Sequence, residues 1–251
     1  MTRVLWYAIL AGAAVGCGDA PLEDPAARIL LFSRTVAFRH ASIEPAIEAL
    51  RQLGAERGVQ VEATEDATLF TNANLARYDA VVFLLTTGDV LDADQQLAFE
   101  EFIRSGGGFV GIHSASDTEY EWPWYGRLVG GYFDGHPSSP NVRDGTLLVV
   151  TPGHPATTAL PDPWVRADEW YDIRDFSRAD VTVLLDIDER SYKDDDEDPA
   201  DTPRAIAWSH EFDGGRAFYT ALGHTTESYS EALFLEHVWG GLRYVLDLAE
   251  P

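Results

Sequence analysis

The feature that most constrains the fold is an alternation, in the first half of the chain, between short apolar runs and segments of helical periodicity. Residues 28–33 (RILLFS) form an apolar run that ends in polar residues. Ile43, Ile47, Leu50 and Leu53 then recur at the spacing of one helix face across residues 43–57, and Gly58 is placed to end that helix. Residues 59–63, 79–85 (DAVVFLL) and 109–112 repeat the strand pattern. Residues 92–104 repeat the helical one, with Leu97, Phe99, Phe102 and Ile103 expected to face inward. Apolar runs without alternation suit strands covered on both faces. Strands alternating with helices imply βαβ units, so the expected fold class is α/β with a mostly parallel sheet flanked by helices. Functional groups in such sheets gather beyond the carboxyl ends of the strands.

The second half is less regular. Residues 146–150, 181–187, 204–209 and 216–221 read as strands, and 231–248 as a closing helix. The acidic stretch 186–201 does not match the spacing of a calcium-binding loop and reads as a solvated acidic loop. There is no internal repeat or interior linker, so residues 28–251 are expected to form one domain.

Charge limits the partners. The net charge is −24. That argues against nucleic acid, which needs clustered Lys and Arg, and against an anionic membrane surface. A small neutral molecule or a cation is easier to accommodate. Residues 1–17 carry Arg3, a short apolar run and the single cysteine, Cys17. They read as a signal peptide for export. The tetrad Ala14-Val15-Gly16-Cys17 is similar to a bacterial lipobox, with Ala where Leu is usual. Cys17 is then the lipidation site, the only expected link to a membrane, and residues 18–27 are a tether. The expected location is a bacterial membrane surface, or otherwise the periplasm or the medium. With Cys17 lipidated or removed, the domain has no thiol, which excludes cysteine catalysis and disulfides.

Histidines fall where strands should end. His40 follows the first strand by a short loop, His113 ends the fourth, and His210 and His224 end late strands. His136 lies in Gly135-His136-Pro137, and Glu169 in Asp168-Glu169-Trp170-Tyr171. His113 stands where a strand breaks abruptly into a helix, a turn that exposes its side chain. A histidine there can ligate a metal or move a proton near neutral pH. Ser114, one residue on, reads as a helix cap rather than a nucleophile. Trp122, Trp124, Tyr125, Trp170 and Tyr171 are candidates to stack on a sugar, with Trp122 and Tyr171 expected to be the exposed ones. His154 reads as a turn residue and His237 as structural.

Taken in order, Phe38-Arg39-His40, Gly106 to Ala115 (GGGFVGIHSA), Gly135-His136-Pro137, Asp168-Glu169-Trp170-Tyr171, and Gly214 to Tyr219 (GGRAFY) leading into Leu222-Gly223-His224 resemble the ThuA-like (trehalose-utilisation) family over about residues 28–248. The resemblance implies a flavodoxin-like, class I glutamine amidotransferase-like fold without amidotransferase activity, since position 113 lacks a cysteine. It implies a role in carbohydrate utilisation, on trehalose, a related glycoside or a sugar oxidised at a ring carbon. It also implies a divalent metal, zinc foremost. Carried over by motif, the metal ligands are His40, His113, His136 and His224, and the catalytic residues are His113 and Glu169. Arg39, Trp122, Trp170, Tyr171 and His210 are the expected substrate-binding residues. The reaction is then a metal-assisted glycoside cleavage, or an elimination or isomerisation on an oxidised sugar. The rival reading is a non-catalytic, surface carbohydrate-binding protein. Oligomeric state is not legible.

Overall fold

A computed structural model of the chain describes residues 25–194, 197, 200 and 202–249. The expected signal segment, Cys17 and most of the tether lie outside the described residues, as does part of the acidic stretch. In chain order the elements are β1 (Ala27–Phe32), α1 (Ile43–Glu56), β2 (Val59–Thr64), α2 (Asn72–Leu75), β3 (Ala80–Leu84), α3 (Ala93–Arg104), β4 (Gly108–Ile112), α4 (Pro123–Val129), β5 (Tyr132–Gly135), β6 (Val142–Val149), β7 (Trp164–Glu169), β8 (Asp172–Arg174), β9 (Thr182–Asp188), β10 (Arg204–Phe212), β11 (Gly215–Thr220) and α5 (Ala232–Val245). No helix among the described residues is long and apolar enough to cross a membrane.

One sheet dominates, in the order β2-β1-β3-β4-β11-β10-β9-β6-β7. The half from β2 to β11 is parallel throughout. From β11 to β7 every pairing is antiparallel. The α/β expectation therefore holds, with an antiparallel wing added to the parallel core. All residues of β3 and β4 are buried, as strands covered on both faces must be. Phe32, Phe70, Phe83, Phe99 and Phe109 interlock at ring-centroid distances of 4.7–6.2 Å between β1, β3, β4 and α3. Helix α3 starts at a capping box in which Asp92 and Gln95 satisfy each other's backbone amides.

Leu97 departs from expectation. It is 61% exposed, whereas Ala98, Phe99, Phe102 and Ile103 are buried. At about 100° per residue, Leu97 stands roughly 200° around the helix from Phe99, which puts it on the solvent side. The strands β5, β7 and β8 are also absent from the sequence reading. In β7 the inward positions are Trp164, Arg166 and Asp168. A buried strand with charged inward residues breaks the hydrophobic alternation that identifies strands.

His237 is structural, as read from the sequence. It is fully buried in α5, with Nδ1 2.8 Å from the Ala156 carbonyl and Nε2 3.1 Å from Thr220 Oγ1. Burial pushes its pKa down from 6.5 to about 4. The ring is then neutral in the folded chain and protonated in the unfolded chain between those two values. Its contribution to stability is complete above pH 6.5 and is lost as pH falls towards 4, at up to about 1.4 kcal/mol per pH unit. Urea denaturation between pH 7 and pH 4 should therefore fall less steeply in His237→Gln than in the wild type. An unchanged slope would show that His237 does not govern acid sensitivity.

Candidate metal centre

The carboxyl ends of three parallel strands and the end of β7 meet at one place. His40 lies in the loop after β1, His113 directly follows β4, His224 lies in the loop after β11, and Glu169 ends β7. The ligating atoms of these four residues all lie within 4.8 Å of one another. His113 Nε2 is 3.4 Å from Glu169 Oε2 and 3.1 Å from His224 Nδ1, and His224 Nδ1 is 3.0 Å from the same Oε2. His40 packs edge-on to both other rings, at centroid distances of 4.9 and 5.2 Å. Ser114 Oγ stands 3.5 Å from His40 Nδ1.

His113 is held in an unusual backbone state, at φ +53°. A non-glycine residue in this left-handed region carries strain that the surrounding structure must hold in place. The strain is what turns the ring off the end of β4 into the cluster. There its Nδ1–H donates to the Ala221 carbonyl at 2.7 Å, which fixes the tautomer and leaves Nε2 as a bare lone pair facing Glu169 and His224. Tyr171 closes one side, with its ring 4.2 Å from that of His113.

Asp168 positions the rest. It is fully buried, accepts the amide N–H groups of Gly223 at 2.8 Å and His224 at 3.1 Å, and pairs with Arg166 at 3.1 Å. Arg166 is itself buried and also reaches Ser228 Oγ at 2.7 Å and Glu231 at 3.3 Å. The end of β7 is thus fastened onto the loop after β11, which brings Glu169 and His224 together. Gly223 permits that loop. It sits at φ +108°, and a Cβ there would lie 2.8 Å from Tyr229 Oη. Gly223→Ala should accordingly cost about 1–3 kcal/mol in denaturant unfolding and loosen His224. A stability within about 0.5 kcal/mol of wild type would contradict this reading.

The titrations follow from the contacts. Burial, aided by the neighbouring His113 and His224, pushes the His40 pKa down to about 3, so its imidazole is neutral at physiological pH. Burial raises the Glu169 carboxyl, but the hydrogen bonds from His224 and Asn141 and the neighbouring His113 outweigh it and hold the group well below the usual carboxylate range. Burial lowers His224, but its hydrogen bond to Glu169 and that carboxylate's charge overcome this and raise it.

The remaining candidates divide. His136 stays at the mouth, one-third exposed, with Nε2 3.5 Å from Glu169 Oε1. It is not one of the four convergent residues, because its ring sits on the far oxygen of Glu169, where Asn141 also donates at 2.7 Å. Tyr171 is at the site but buried, so it walls the cluster instead of presenting a face to solvent. Trp122 is buried too, stacked on Trp124 and Tyr125, with Nε1 donating to Glu100. Trp170 turns away from the cluster because successive residues of an extended chain point to opposite faces. It packs at Gly145 and Tyr192, and its Nε1 donates to the Arg143 carbonyl. His210 lies at the other end of the sheet, since β10 runs antiparallel to β11, and it bonds the Leu128 carbonyl at 2.9 Å. Arg39 points outward into ion pairs with Glu44 and Glu65. Three residues around the cluster were missed as candidates. Asn141 left no signal. Asp168 was flagged only by its place beside Glu169, and Phe38 only by its place before Arg39 and His40.

Comparison with known proteins places this arrangement. In solved structures the chain is similar to a ThuA-like protein from Bacteroides uniformis, with TM-score 0.74 and 24% identity over 92% of this chain and 95% of that one. It is also similar to a ThuA-like protein from Parabacteroides merdae, with TM-score 0.68 and 17% identity over 88% and 90%. A β-galactosidase from Bacillus circulans sp. alkalophilus shares the fold at TM-score 0.56 and 13% identity, over 88% of this chain but only 31% of that enzyme. At such identities the likeness is one of fold. No curated protein matches the chain significantly. The family described as ThuA, trehalose utilisation, matches residues 28–245. That span runs from the first strand to the closing helix and contains His40, His113, Glu169 and His224, so the chain belongs to the ThuA (trehalose utilisation) family.

Proposed function

We propose that this trehalose-utilisation-related protein is a metal-dependent enzyme acting on a sugar or glycoside, by hydrolysis or elimination, at the carboxyl end of its parallel strands. The observation that carries the reading is the convergence of two histidine nitrogens and a carboxylate oxygen within 3.4 Å of one another, with a third histidine beside them. Two ligands at about 2.1 Å from a tetrahedral ion stand about 3.4 Å apart, so the spacing fits a first-row divalent ion. Three neutral imidazoles and one carboxylate are the donor set zinc favours, and zinc is the ion we assign. When bound, such an ion polarises a carbonyl or hydroxyl oxygen.

The chain's own groups do the rest. His113 is locked in one tautomer by Ala221, so its Nε2 is ready to ligate. Glu169 stays ionised and offsets part of an ion's charge. His136, at the mouth and against the far oxygen of Glu169, is placed to exchange a proton with solvent or substrate. Among the described residues there is no cysteine, and the turn after β4 carries His113, which is unsuited to amidotransferase chemistry.

Two measurements follow. Turnover of a glycoside panel that includes trehalose and ketone-bearing glycosides should be abolished by a chelator and restored by zinc. Firm sugar binding without turnover in metal-loaded protein would favour a binding protein instead. Zinc affinity should also fall with acid. His224 must lose its proton to ligate and its pKa is raised, whereas His40 is already neutral. Below the raised His224 value, the apparent Kd for zinc should rise about tenfold per pH unit. A Kd unchanged between pH 8 and pH 5 would exclude His224 as a ligand.

A further inference from the structure

We infer that Phe38 is the sugar-stacking platform of this site, receiving the apolar C–H face of a pyranose while the ring's hydroxyls face the histidine cluster. The inference rests on the reading of the site as a carbohydrate site and adds the residue that recognises the ring. Phe38 is 63% exposed, the only aromatic among the exposed large hydrophobics of the described residues. The aromatic residues expected from sequence to stack on a sugar are all buried. Phe38 stands at the centre, its ring centroid 4.8 Å from that of His40 and edge-on to it. Beside it on the same loop is Val36, 57% exposed. An exposed apolar lip next to convergent polar groups is the pattern of a ligand site rather than of scattered surface hydrophobics.

The loop that presents the ring is fixed. Val36 N–H donates to the Thr87 carbonyl at 2.8 Å, Ala37 N–H to Thr87 Oγ1 at 3.3 Å, and Thr87 Oγ1 donates to the Phe38 carbonyl at 2.8 Å. Thr87 is fully buried in the loop that follows β3. The loop also presses on Gly88, where a Cβ would come within 3.2 Å of Val36 Cβ. The backbone on both sides of Phe38 is therefore tied to the sheet, and the ring is held in solvent. Arg39 is drawn aside by Glu44 and Glu65. The face of Phe38 is left for a neutral ring. A flat aromatic face suits the C–H face of a pyranose and is ordered at little entropic cost.

The test uses Phe38→Ala and Phe38→Trp in the full chain, with trehalose, glucose, galactose and methyl glucoside as probes. Binding is followed by calorimetry, and in Phe38→Trp also by indole emission. Metal content is measured in parallel. The expected result is a rise of about tenfold in Kd for Phe38→Ala, the value one lost stacking contact gives. Phe38→Trp should bind at least as well as wild type, its emission should shift to the blue on adding sugar, and both variants should hold as much metal as wild type. Phe38→Ala binding like wild type would overturn the inference, as would no binding of any probe by metal-loaded wild type. Sugar binding that depends on Phe38 in a chain that holds no metal would instead overturn the metal reading and leave the platform standing.

Discussion

Asp168→Ala should destabilise the chain by about 3–5 kcal/mol, the cost of breaking a buried ion pair from one side. Asp168 is fully buried and accepts the amides of Gly223 and His224, while Arg166 depends on it for charge balance. Removing the carboxylate leaves a buried guanidinium short of anions and takes an acceptor from the amides of Glu169, Gly223 and His224. Glu231 is the other anion on Arg166, at 3.3 Å, and is partly exposed, so it cannot fully compensate. The double variant Asp168→Ala/Arg166→Met should recover a large part of the loss, because it removes the stranded charge together with its partner. Urea denaturation reads both. A loss below about 1 kcal/mol in the single variant would mean that the end of β7 is not fastened through Asp168.

His113→Ala should lower zinc affinity by at least about a hundredfold, since it deletes a ligand whose tautomer and direction are fixed in advance. Comparison with His113→Gly separates the ring from the backbone. Both variants lack the imidazole, but position 113 lies at φ +53°. Alanine bears a Cβ penalty of about 1–2 kcal/mol there and glycine does not. His113→Gly should therefore be the more stable of the two by about 1 kcal/mol, with equally poor metal binding. Equal stability would show that the left-handed turn is not maintained in the folded chain. Metal affinity near that of wild type in either variant would remove His113 from the centre.

The parallel half of the fold was legible because its central strands are apolar along their length and its helices carry one clear face. β3 and β4 are buried along their whole length, and α1 buries Ile43, Leu50 and Leu53 as their spacing requires. The antiparallel wing was less legible because β7 turns Arg166 and Asp168 inward, where they neutralise each other out of sight of any hydrophobicity pattern. The site was legible in its histidines, because strand ends in a parallel sheet converge by topology alone. His40, His113 and His224 follow β1, β4 and β11, which lie close together in the sheet. The aromatic residues were not legible. Whether a Trp or Tyr faces a cleft or a core depends on which side of the chain it leaves, and Trp122, Trp170 and Tyr171 all turned inward. Phe38, embedded in the first motif, kept the exposure expected of the others. His210 misled because β10 runs opposite to β11, so its end reaches the edge of the sheet away from the ends of β4 and β11.

The most direct test of the metal centre is elemental analysis of the purified protein after dialysis without chelator, followed by titration with zinc, manganese, cobalt and nickel. The expected result is about one divalent ion per chain, retained or taken up with high affinity, and lost on replacing His113 or Glu169. A wild-type chain that holds no metal as purified, and binds none of the four ions at micromolar concentrations, would contradict the assignment of His40, His113, Glu169 and His224 as a metal site.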